Sequence, residues 1–213
     1  MNWRLASRLS VVTLALLVVL TVAVLGLRTT TGAPVTSLNS TPTTSSGLQG
    51  TDLGGVTAPA FSLHDQFGKV VTLAQFAGKP VVLTFMYTHC PDVCPIMAER
   101  LHSVMVGLGA DAQQRVAVVA ISVDPRGDSV AAALNFSQVH HMADYWHFLV
   151  GTHEELAPVW TKYAIDAQPA ASTVSMHTAI LYVIDKQGHE RALLDQDFTT
   201  AQLSGDLKTL LGE

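Results

Sequence analysis

Cysteine is nearly absent from this chain of 213 residues: there are two, Cys90 and Cys94, four positions apart. A disulfide-stapled scaffold is thereby excluded, and so close and isolated a pair points to redox chemistry or metal binding. Charged residues are sparse at 14%, and a basic surface is missing. From Pro59 onward nine Lys and Arg stand against sixteen Asp and Glu. That balance argues against a nucleic-acid partner, which needs cationic side chains on its phosphates. It suits a domain that meets cations or a basic patch on another protein. No internal repeat is present, and the stretch from Pro59 to Glu213 is long enough to build a core without staples.

One stretch has no charge at all. Leu9–Leu27 is apolar except for Ser10, Thr13 and Thr21, and Arg4 and Arg8 precede it. Nineteen helical residues span roughly 28 Å, close to the thickness of a bilayer core. The arginines favour a cytoplasmic N-terminus. The run exceeds a signal-peptide core in length, and Pro34 follows the best small-residue cleavage site, Thr31-Gly32-Ala33. Residues 1–28 are therefore expected to be an uncleaved transmembrane helix, a single-pass anchor in the cell membrane with the rest of the chain on the extracytoplasmic side. Residues 29–58, dominated by Thr, Ser, Gly and Pro, read as a flexible linker. Residues 59–213 read as one domain.

Within that domain the periodicity is mixed. Phe61 and Leu63, then Val71 and Leu73, flank the turn-like Asp65-Gln66-Phe67-Gly68 and predict a hairpin. Val81–Tyr87 and Val116–Val123 are continuous apolar runs, as expected of strands buried on both faces. A helix is expected between them, from Pro91 or Asp92 to Leu108. Further helices are predicted over Asp128–His140, His153–Tyr163 and Thr199–Leu211, and strands over Thr178–Ile184 and Glu190–Leu194. Two buried strands joined by a helix form a right-handed parallel unit, and the last two strands form an antiparallel pair. The sum is a thioredoxin-like α/β sandwich, a central mixed sheet flanked by helices.

The chemistry concentrates in Thr88-His89-Cys90-Pro91-Asp92-Val93-Cys94-Pro95, where a buried strand gives way to a helix. A cysteine there sits at the positive end of the helix dipole, which favours thiolate. Spacing by four places the two sulfurs one turn apart on one face, able to grip one ion or to close into a disulfide. Buried packing cysteines are the bland alternative, and proline on both sides of a junction argues against it. Two thiolates leave a metal under-coordinated. Of the nine histidines, His177 stands apart because it immediately precedes the strand from Thr178. In a thioredoxin-like sheet the loop entering that strand faces the cysteine loop. His89, beside Cys90, is a candidate supporting group or alternative ligand. Thiolates with one imidazole suit Cu(I) and admit Cu(II), and zinc would accept the same donors.

THCPDVCP resembles the cysteine motif of the Sco/SenC family. SVDPRGDS is similar to that family's segment after the second central strand, and MHTAILYVIDKQG to its distal-histidine segment; their order and spacing agree over residues 59–213. The resemblance implies copper bound by Cys90, Cys94 and His177. It implies a metallochaperone whose partner is the copper-centre subunit of cytochrome c oxidase, with other copper chaperones or thiol reductants as further partners. Asp124 occupies the family's acidic position, as a hydrogen-bonding or electrostatic support or simply as an Asp-Pro turn starter. The chain has Met176-His177-Thr178 where the family often has Asp-His-Ser; Met176 is expected to pack in the core. The rival function is a thiol–disulfide oxidoreductase that keeps an acceptor's cysteines reduced through the same pair. A peroxidase on the same fold ranks last.

Overall fold

The structure, a computed structural model, describes residues 47–167 and 179–213. The expected anchor, most of the linker, Met176 and His177 lie outside the described residues. No helix among those described is long and apolar enough to cross a membrane.

The two apolar runs form the middle of the sheet. Strands β4 (Val81–Met86) and β5 (Ala117–Ser122) are buried at every position. They pair in parallel, with Val81 opposite Ala117 and Met86 opposite Ser122. A 16-residue helix, α1 (Val93–Leu108), and a short one, α2 (Ala110–Arg115), connect them. β6 (His147–Leu149) adds in parallel beyond β5. On the other side β7 (Ile180–Ile184) runs antiparallel to β4, and β8 (His189–Asp195) antiparallel to β7. β1 (Thr51–Thr57) closes that edge, so the order is β1-β8-β7-β4-β5-β6. β2 (Ser62–His64) and β3 (Val70–Thr72) form the expected hairpin, and a single 3₁₀ turn follows over Leu73–Phe76.

The period of two along each strand divides the core in two. Val82, Val118, Ala120 and Leu181 face α1 and α5 (Thr200–Gly212), whose Met97, Leu101, Leu203 and Leu207 fill that side. Leu83, Phe85, Val119 and Ile121 face α4 (His153–Lys162) and the hairpin. Helix α3 (Val130–Val139) adds Ala133 and Phe136 to the first side. Capping boxes, Thr152 with Glu155 and Thr199 with Gln202, start α4 and α5.

Two local expectations are corrected. Residues 51–57, read as the end of the linker, are strand β1. Its sequence, TDLGGVT, has no alternation of its own; the strand exists because β8 offers an edge to pair with. Leu211 was expected on the buried face of the last helix with Leu203, Leu207 and Leu210; those three are fully buried and Leu211 only partly. β6, too short to be legible by pattern, is held from outside the ladder. The buried Gln66 amide donates to the Trp146 carbonyl at 2.9 Å and accepts the Phe148 N–H at 2.7 Å.

Candidate metal and redox site

Parallel strands bring their C-terminal ends to one side of the sheet. The pairing of Met86 with Ser122 sets two loops side by side: Tyr87–Asp92, which carries Cys90, and Val123–Ser129. A bond from the Val123 N–H to the Met86 carbonyl, 3.0 Å, continues the ladder into them. β7 runs the other way, with Leu181 opposite Thr84, so its start stands at the same end as the cysteine loop. The Thr84 hydroxyl donates to the Ile180 carbonyl there, 2.8 Å.

Cys90 and Cys94 are buried free thiols, 8% and 3% exposed. Cys90 lies outside α1, which starts at Val93, so the sulfurs meet by a different route from a shared helical turn. The N-cap residue Asp92 makes no side-chain capping bond. Cys90 Sγ takes over that duty, accepting the Cys94 N–H at 3.3 Å. An acceptor at a helix N-terminus is stabilised as an anion. The Cys90 pKa is lowered to about 6, first by the hydrogen bond from the Cys94 thiol; burial opposes this, and the backbone of Asp92 and Cys94 and the Tyr87 hydroxyl assist. The same bond pushes Cys94 far up, and burial and the charge on Cys90 add to it. Tyr87 rises to about 12, by burial first and then by the neighbouring Cys90 charge. The pair is thus one thiolate and one proton-holding thiol: an attacking and a resolving sulfur, or two soft donors one of which must still lose a proton.

His89 is exposed, and its Nδ1 lies 3.0 Å from the Thr88 hydroxyl oxygen. Asp124 is half-buried and serves its own loop: Oδ1 accepts the Arg126 N–H at 3.2 Å, the turn-starting pattern. Gly127 lets that loop close on the cysteine loop. A Cβ there would press against Asp124 Oδ2 and lie 3.3 Å from His89 Nδ1.

The acidic residue that joins the two loops is Asp128, which sequence reasoning did not single out. It is 5% exposed. One oxygen accepts the Thr88 N–H at 2.8 Å and the Thr88 hydroxyl at 2.7 Å; the other accepts the Ser122 hydroxyl at 2.6 Å. Burial raises its pKa and these bonds oppose the rise. The segment SVDPRGDS holds both Ser122 and Asp128, yet only the register of β4 on β5 shows that they grip Thr88.

Among the described residues no group of three or more His, Cys, Asp or Glu is arranged to hold a metal ion. The two sulfurs come together; the third expected ligand, His177, is outside the described residues, three positions before Ile180.

Comparison with known proteins identifies the family and the fold. The chain is 39% identical over 106 residues to the protein SCO2 homolog, mitochondrial, of Bos taurus, which covers 49% of this chain and 39% of that one. The chain therefore spans about two-fifths of that relative's length. The structure of Bradyrhizobium japonicum ScoI with copper bound is 32% identical, with a TM-score of 0.63 over 73% of this chain and 99% of the other. BsSco, described as a member of the Sco family of cytochrome c oxidase assembly proteins with a disulfide switch, shares the fold at 23% identity, with a TM-score of 0.64 over 76% of this chain and 97% of its own. The SCO1/SenC family model matches residues 50–212, from the position before β1 to the last residue of α5, and the chain belongs to that family.

Proposed function

We propose that the domain binds one copper ion through Cys90, Cys94 and His177, and hands it to the copper-centre subunit of cytochrome c oxidase during assembly. The observation that carries this reading is the sulfur pair at the strand-to-helix junction, with Cys90 already acidic enough to be a thiolate near neutral pH. Soft sulfur donors suit Cu(I), and an added imidazole admits Cu(II). The start of β7 at the same end of the sheet supports His177 as the third ligand. Three residues of chain reach about 10 Å. The copper held by ScoI, a relative at 32% identity, favours copper over zinc for the same donors. Asp124 and His89 support the site from the neighbouring loop and the neighbouring residue.

Residues 1–28 anchor the domain in the cell membrane, facing the extracytoplasmic side. Leu48 packs against the core and Gln49 donates to Asp206, so the tether ends before them, and the Ser, Thr, Gly and Pro of residues 29–46 suit a flexible reach of roughly 23 Å. That keeps the domain close to a membrane-bound acceptor and raises its effective concentration.

One observation favours a second reading. A low-pKa thiol beside a high-pKa thiol is the division of labour of a disulfide reductase: Cys90 attacks the acceptor's disulfide, and Cys94 resolves the mixed disulfide after losing its proton. The acceptor gains two thiols and this protein leaves as the Cys90–Cys94 disulfide, which a thiol reductant must reduce. His177 separates the two readings, because copper retention needs it and disulfide exchange does not. Reduced wild type and His177→Ala are loaded with Cu(I) and with Cu(II), and stoichiometry and absorption compared. One-to-one retention that weakens in the variant is expected. Equal binding by both removes His177 from the site, and no retention by the wild type favours the reductase.

A further inference from the structure

We infer that His89 is the ligand through which copper enters and leaves the cysteine pair, and that Asp128, acting through Thr88, holds its imidazole ready. The inference rests on the copper reading and extends it to the path of transfer. It starts from a chain of contacts beneath the cysteine loop. The Thr88 hydroxyl donates to Asp128 Oδ1 at 2.7 Å, and the Thr88 N–H donates to the same oxygen at 2.8 Å. The second carboxylate oxygen is occupied by the Ser122 hydroxyl. A hydroxyl has a single proton to donate. With the Thr88 proton on Asp128, the Thr88 oxygen offers only lone pairs to His89 Nδ1, 3.0 Å away. That contact is a hydrogen bond when Nδ1 carries the proton. Neutral His89 is therefore the Nδ1–H tautomer, and Nε2 is left with a free lone pair.

Metal-binding histidines are commonly oriented in this way, with the second ring nitrogen bonded to a carboxylate or carbonyl that fixes the tautomer. Here a hydroxyl relays the carboxylate. The placement suits transfer. His89 is exposed, whereas Cys90 and Cys94 are 8% and 3% exposed. A copper ion arriving from solvent or from a donor protein meets the imidazole first and the sulfurs second. Beside His89 lies a cavity of about 230 Å³, with Phe136 and His140 in its wall, which gives a partner's ligand side chain room to approach. The exchange leaves the copper oxidation state unchanged. A thiol that still holds its proton releases it to water as the copper–sulfur bond forms.

Histidine nitrogen NMR on the full chain in detergent, reduced and metal-free, above the ordinary histidine pKa, tests the relay without copper. Wild type and Thr88→Ser should show His89 protonated at Nδ1, and Thr88→Val should lose that preference. Stopped-flow loading with Cu(II) tests the transfer. Thr88→Val and His89→Ala should load about tenfold more slowly, the low end of the loss when an outer partner of a metal ligand is removed. Thr88→Ser should recover the rate that Thr88→Val loses. A wild-type His89 protonated mainly at Nε2 overturns the relay, and His89→Ala loading as fast as wild type overturns the transfer role. Wild type that takes up no copper at all sinks the copper reading and the transfer role with it, while the nitrogen spectra still decide the relay.

Discussion

The acidity of Cys90 is traced first to one donor, the Cys94 thiol, and deleting that donor tests the assignment. At pH 7 a thiol of pKa about 6 is roughly 90% thiolate, against roughly 1% at the ordinary 9.0. Nucleophilicity falls with acidity at a Brønsted slope of about 0.4–0.5, so the same change costs roughly 15- to 30-fold in intrinsic rate. The two factors leave Cys90 alkylating about 3- to 6-fold faster than an ordinary thiol, before its burial is counted. The position of the pH midpoint is therefore more informative than the rate. A hydrogen bond to a charged group contributes about 1.5–3 kcal/mol, and a tenfold change in an acidity constant is about 1.4 kcal/mol. Cys94→Ala should move the Cys90 midpoint up from about 6 by about one to two pH units; Cys94→Ser, which keeps a donor, should move it less. Reduced, metal-free protein is treated with iodoacetamide across the pH range, and modification at each cysteine is followed by peptide mass. A wild-type midpoint at the ordinary thiol value refutes the acidity, and a Cys94→Ala midpoint equal to the wild-type one refutes its cause.

Three further perturbations probe the frame. Gln66→Ala strips two buried backbone groups, the Trp146 carbonyl and the Phe148 N–H, of their partner, and should cost about 2–4 kcal/mol in urea unfolding. Gly127→Ala presses a methyl group onto the Asp124 carboxylate, and should cost about 1–3 kcal/mol and shift the His89 resonances; an unchanged spectrum would show that the loop has room to spare. Asp206 is 1% exposed and accepts the Gln49 N–H at 2.7 Å, while its Oδ2 has no hydrogen-bond partner among the described residues. Burial holds its native pKa above the unfolded value of 3.8, so the native state binds the proton more tightly. Stability contributed by the protonated form is present below 3.8 and lost as pH rises through the raised native value. Asp206→Asn has no such titration, so wild type should lose thermal stability relative to it over that window; parallel pH profiles would contradict the assignment.

The central strands were legible because burial on both faces leaves an uninterrupted apolar run, as in Val81–Met86 and Ala117–Ser122. The cysteines were legible because their chemistry is rare and their spacing local. β1 was not, since Gly54 and Gly55 break any alternation and its stability comes from an edge more than 130 residues away in sequence. β6 is three residues long, and its outer groups are satisfied by a glutamine about 80 positions upstream. Sequence pattern points to Asp124 and not to Asp128 for a related reason. Both stand in one loop, and which carboxylate turns inward depends on Ser122 and Thr88, forty positions apart in the latter case. Pattern reports what a residue does for its own element, whereas these groups act across elements.

The shared proton of the cysteine pair has a consequence for metal binding that the two functional readings do not share. The hydrogen bond that makes Cys90 a thiolate makes Cys94 a reluctant acid, so the metal-free protein near neutral pH holds one proton on the pair. Copper requires both sulfurs as thiolates. Above about pH 6 it must displace one thiol proton, and below that value two. Calorimetry of copper binding in buffers of different ionisation enthalpy counts those protons. Release from the sulfur pair close to one per ion near neutral pH, rising towards two in acid, is expected. Release of two per ion at neutral pH would mean that Cys90 keeps its proton there, and the lowered pKa that both readings use would be lost.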